Sequence, residues 1–69
     1  MNREEVVTLA CNYAEREGYV VGRYDISLAR EGSEWHVNFH GKPKARPGDF
    51  FTVLIDDVAQ KVKALIAGK

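Results

Sequence analysis

The sequence predicts an α+β domain in which a helix, three antiparallel strands and a second helix follow one another (αβββα). Three observations carry that reading. An apolar stripe at helical spacing follows an amino-terminal capping signal, the segment 25–40 accepts one hairpin register and no neighbouring one, and an apolar run from Phe50 to Ile55 follows a loop bearing two prolines.

The first helix is predicted from Arg3 to Glu17. Asn2, with Glu5 three residues later, has the spacing of a capping box, in which the two side chains satisfy free amides at a helix start. Val6, Leu9, Ala10, Tyr13 and Ala14 then recur on one helical face, and Gly18 stands where a left-handed terminating residue belongs. Residues 19–23 read as a connection, with Gly22 marking a bend before the sheet.

Gly32-Ser33 suits a two-residue hairpin turn with glycine at its first central position. That turn sets Glu31 opposite Glu34, Arg30 opposite Trp35, Leu28 opposite Val37 and Ile26 opposite Phe39. The other face then pairs Ala29 with His36, Ser27 with Asn38 and Asp25 with His40. A slip of one residue would mix the apolar and polar sets, so the register is specified by the pattern itself.

The loop 40–49 holds two prolines and two glycines, and Pro47-Gly48 fits the centre of a type II turn. The strand Phe50 to Ile55 returns antiparallel to the second, with Phe51, Val53 and Ile55 on one face and Phe50 and Leu54 on the other. From Asp56 the sequence predicts a second helix: Asp57 with Gln60 as its cap, Val58, Val62, Leu65 and Ile66 as its stripe, and Gly68 at its close.

Composition narrows the function. A domain of 69 residues, read as one unit over 1–69, buries only roughly 60% of the surface its unfolded chain exposes, so a partner or a second copy would add useful stability. The lone cysteine, Cys11, leaves no intramolecular disulfide and points to a reducing, cytoplasmic setting. Ten basic and ten acidic residues cancel, so no global field draws the chain to nucleic acid or membrane. The start of the chain lacks the apolar core of a signal peptide, and no apolar run approaches the length of a membrane span.

The tract Trp35-His36-Val37-Asn38-Phe39, then Pro47-Gly48, Thr52-Val53-Leu54-Ile55-Asp56 and Lys61-Val62, resembles PepSY-like and cystatin-like immunity domains over about half the chain. In those families a tryptophan strand and a loop precede a strand ending in an acidic residue. The resemblance implies a non-catalytic module that binds or inhibits another protein. Those families place a Thr-Gly turn before the Lys-Val pair; Ala59-Gln60 stands there in this chain and favours continued helix. The predicted element order also resembles that of double-stranded-RNA-binding domains, which implies RNA as a second class of partner. Their second helix opens with lysines, whereas Asp56 and Asp57 would repel phosphate here.

Five residues emerge as binding candidates. Lys42, Lys44 and Arg46 alternate along the loop and could meet phosphate or an acidic protein surface, against the plainer reading of a solvated loop. Phe50 and Leu54 lie on the face where the hairpin is mainly polar; if the third strand is a sheet edge, they and its free backbone groups would join two copies in a homodimer.

Catalysis is the third reading. Cys11 flanks the apolar stripe and reads as a packing residue, and His36 and His40 share a strand face too far apart to hold one metal directly. With no phosphate loop, nucleophile triad or paired carboxylates in view, no enzyme, cofactor or metal site is predicted.

Overall fold

The computed structural model describes residues 1–42 and 50–68. Helix α1 spans Arg3–Arg16, and four strands follow: β1 (Tyr24–Glu31), β2 (Glu34–Gly41), β3 (Phe50–Asp56) and β4 (Lys61–Ala67). They form one antiparallel sheet in the order β1-β2-β3-β4, each strand beside its neighbour in sequence.

Both ends of α1 are closed by local chemistry. Asn2 Oδ1 accepts from the Glu5 amide at 2.8 Å while Glu5 Oε1 accepts from the Asn2 amide at 2.9 Å, which completes the capping box. At the other end Gly18 takes φ +96, the Tyr19 amide donates to the Ala14 carbonyl and the Gly18 amide to the Glu15 carbonyl, both at 3.0 Å. This is a Schellman closure, and it turns the chain so that Tyr19 lands on the core. The Tyr19 ring stacks on Phe51 at 4.0 Å, and Phe51 stacks on Phe39 at 4.4 Å.

Val6, Ala10 and Ala14 press α1 onto Trp35, Val37, Phe39, Phe51, Val53 and Ile55, all buried. The two alanines let the helix axis approach the strands closely. The helix lies over β2, β3 and β4 and leaves β1 less covered.

The hairpin register matches the pattern pair for pair, from Glu31 with Glu34 to Asp25 with His40, and Gly32 supplies the positive φ of +61 at the turn. The predicted Pro47-Gly48 turn lies outside the described residues.

The segment after Asp56 is a strand, not the predicted second helix, so the architecture is αββββ. Two local features imitate a helix there. Asp56 Oδ1 accepts from the amides of Val58 and Ala59 at 2.9 and 3.1 Å, the same bonding an aspartate provides at a helix start, but here it serves one hairpin turn. Gln60, whose amide donates to the Asp56 carbonyl at 2.8 Å, takes φ +56 and ends that turn before a second can form. Asp57, predicted to be the cap, points elsewhere.

The second imitation is a β-bulge. Leu54 pairs with Ala64 and Ile55 with Val62, which leaves Lys63 as the extra residue. The bulge puts Val62 and Leu65, three apart, on the same sheet face, so a strand shows helical spacing. Gly68 does not close a helix either. Its amide donates to the Phe50 carbonyl at 2.7 Å, and a Cβ at this position would stand 2.7 Å from that oxygen and 2.8 Å from the Phe50 ring.

A consequence concerns the edges. The third strand was predicted to offer free backbone groups if it bordered the sheet; β3 is interior, flanked by β2 and β4, and the borders are β1 and β4.

Candidate functional site

With α1 on one side, the opposite sheet face has no cover among the described residues. Strand pairing arranges it in rows. Ser27, Asn38, Thr52 and Ile66 lie across the middle, with Ala29, His36, Leu54 and Ala64 beside them. Asp25, His40 and Phe50 form one end, and Glu34, Asp56 and Lys61 the other.

Apolar groups concentrate towards β3 and β4. Phe50 is 45% exposed and Ile66 55%, with half-buried Leu54 and Ala64 nearby, while His40 stacks near Phe50 at 6.3 Å. Polar groups on this face are tied to one another. Thr52 Oγ1 donates to Asn38 Oδ1 at 2.8 Å, and Glu34 lies between Lys63 Nζ at 2.7 Å and His36 Nε2 at 2.9 Å. The bond from Lys63, with a smaller contribution from His36, holds the Glu34 carboxyl below the usual range, and Glu34 raises Lys63 in return.

Of the predicted binding residues, the sheet brings Phe50 and Leu54 onto this face. Lys42 stands at its border: its amide donates to the Arg23 carbonyl at 2.8 Å, and its ammonium lies 3.4 Å from Asp25 Oδ1. Lys44 and Arg46 lie outside the described residues. Ile66, part of the helical stripe that the sequence predicts, also lies on this face; unbroken alternation across a hairpin would set Leu65 beside Thr52, and only the bulge at Lys63 brings Ile66 there.

Asp57 forms a separate node on the helix side. Its Oδ1 accepts from Trp35 Nε1 at 2.9 Å and lies 3.1 Å from the amino-terminal ammonium, and its Oδ2 accepts from Arg30 at 3.3 Å. The indole bond, then the amino terminus and Arg30, hold this carboxyl below its ordinary value. The Arg30 guanidinium carbon also sits 4.9 Å from the Trp35 ring centroid. The node ties the β1–β2 and β3–β4 turns together and packs Trp35.

The residues considered for catalysis remain dispersed. Cys11 is half-buried on α1, and burial, assisted by Glu15, pushes its thiol up and so disfavours thiolate. No group of three or more histidine, cysteine, aspartate or glutamate side chains is placed to hold a metal among the described residues. No helix among them is long and apolar enough to cross a membrane. No family model, curated protein or solved structure matches the chain.

Proposed function

We propose that this chain is a small non-catalytic binding module that acts through protein–protein contacts on its uncovered sheet face. The observation that carries the reading is one-sided cover: α1 buries one face of the sheet, while Phe50, Leu54 and Ile66 lie on the other.

The chemistry of that face favours a protein surface over a polyanion. It carries Asp25, Glu34 and Asp56 against Lys61 and Lys63, with Lys63 and Glu34 already paired, so its described residues offer no excess of positive charge to phosphate. An apolar patch towards β3 and β4, bordered by mixed and partly self-neutralised charges, suits a protein contact. The inhibitor- or immunity-like role implied by the resemblance belongs to this proposal, as does self-association.

The test uses the purified chain and a protein it captures, re-examined as a purified pair. Saturable binding should survive added salt and the triple change of Lys42, Lys44 and Arg46 to Gln, and should be lost in Leu54→Lys, since an unpaired charge at an apolar contact is costly. Binding indifferent to Leu54→Lys, but abolished by salt and by the triple change, would overturn the assignment to the open face in favour of the basic loop.

A further inference from the structure

The border strand β1 has a property that its pairing with β2 defines. Across a two-residue hairpin turn, Glu31 and Glu34 form a hydrogen-bonded pair, so Ala29, Ser27 and Asp25 aim their backbone groups at β2. The Arg23 carbonyl, which accepts from the Lys42 amide at 2.8 Å, continues the same parity. The amides and carbonyls of Ile26, Leu28 and Arg30 therefore point outward. Their side chains face the helix side, where Ile26 is 38% exposed and Leu28 half-buried. Beside them a groove of about 570 Å³ separates β1 from Arg3, Val7 and Thr8 of α1.

We infer that β1 pairs antiparallel with β1 of a second copy about a two-fold axis at Ser27, joining two sheets into one of eight strands. The inference specifies how the self-association proposed above occurs, and it leaves the uncovered face free.

Charge and pattern select the occupant and its register. With Ser27 opposite Ser27 of the second copy, Ile26 meets Leu28 twice, Asp25 meets Ala29, and Arg23 meets Glu31 at both ends. Neither Arg23 nor Glu31 has an ion-pair partner among the described residues of one copy. Because the outward backbone groups recur every second residue, a two-fold axis must move by whole residues. Centring it on Leu28 sets Asp25 against Glu31 and Ile26 against Arg30; centring it on Ile26 sets Arg23 against Ala29 and leaves Glu31 unmatched. Only the axis at Ser27 gives apolar pairs at the middle and opposite charges at both ends.

The same geometry joins the two grooves. Ile26 and Leu28 of each copy then face one another between the two α1 helices, covering apolar surface that one copy leaves wet. The opposite border is less suited to this. Strand β4 has its bulge at Lys63 and a second lysine at 61, both of which hinder an added strand.

Cysteine cross-linking tests the register directly, in a Cys11→Ala background. Opposed residues at a non-hydrogen-bonded site have Cα atoms about 4.5 Å apart, within disulfide reach. Oxidised Ser27→Cys should run as a covalent dimer. Asp25→Cys alone and Ala29→Cys alone should not, since each is displaced from its own copy by about 13 Å along the strand, while a mixture of the two should cross-link to each other. Failure of Ser27→Cys, or equal self-cross-linking at 25 and 29, overturns the register.

Sedimentation tests the surface. The wild-type chain should be dimeric at high micromolar concentration, as should Leu54→Lys, whereas Ile26→Pro should be monomeric with its far-ultraviolet circular dichroism retained, because the amide it removes points outward. A monomeric wild type, or a dimer broken by Leu54→Lys and kept by Ile26→Pro, overturns the inference. Partner binding lost in Leu54→Lys while its dimer persists separates this inference from the proposed role of the open face.

Discussion

The two faces of the sheet are made from the same strands, yet they perform different physical work. Beneath α1, Phe39, Phe51, Val37, Val53 and Ile55 are sealed, and aromatic rings stack from Tyr19 through Phe51 to Phe39. On the other side Phe50 and Ile66 are largely exposed, and beside them Thr52 and Asn38 satisfy each other. Stability is concentrated on the first face, which leaves the second open to substitution and contact. Among the described residues α1 is the one α-helix, and it covers one face.

The sharpest way to break that division is to truncate an aromatic ring on each side. Phe39→Ala should cost about 3–5 kcal/mol, enough to bring so small a domain near unfolding. Phe50→Ala should lower the urea midpoint far less, because its ring is already half in water. Equal losses would mean that the uncovered face contributes to the core.

Gly68 probes the place where the two faces meet at the end of β4. A methyl group there would collide with the carbonyl and ring of Phe50, so Gly68→Ala should cost about 1–3 kcal/mol and displace that ring. A chemical-shift change confined to residues near 50 and 68 would confirm the cause. An unchanged thermal midpoint would show that the ring swings aside freely.

Each face carries a carboxylate held low, Glu34 on the open side and, on the covered side, Asp57 at its node. The Asp57 carboxyl is held low in the folded chain, so the stability it contributes is present above the unfolded aspartate value and is lost as pH falls through the lower folded value. Asp57→Asn should be less stable at neutral pH and show a shallower decline on acidification. Parallel wild-type and variant curves in pH-dependent melting would rule out this role.

The smallest effect on folding should come from Leu54→Lys, within about 0.5 kcal/mol if the long side chain reaches solvent. Its melting curve serves as the control for the binding experiment above.

Much of this division was legible in the sequence because it depends on local rules. Asn2 and Glu5 cap α1 over one turn, and the Gly32-Ser33 turn fixes the hairpin register within its own strands. The same arithmetic placed Phe50 and Leu54 opposite the core. The end of the chain was misread because its signals are shared by two structures. An aspartate that binds amides two and three residues ahead can open a helix or tighten a turn, and a bulge converts period two into a spacing of three. The positive φ at Gln60 decides the matter, but glutamine is not a residue whose identity announces that conformation. The border position of β3 failed for the same reason, since one extra strand moves the edge.

The bulge at Lys63 also governs how large an assembly this sheet can build. A sheet with two receptive borders can add copies without limit, and each addition recreates the site that accepted it, which is the geometry of a fibre. Here one border is smooth over Tyr24–Glu31 and the other is kinked and cationic. Growth that begins at the smooth border consumes it, and neither outer strand of the product invites another copy. Deleting Lys63 would straighten β4 while keeping its remaining pairs, Ile55 with Val62 and Leu54 with Ala64, and on the pairing inferred above it would add a second receptive border from which copies could propagate.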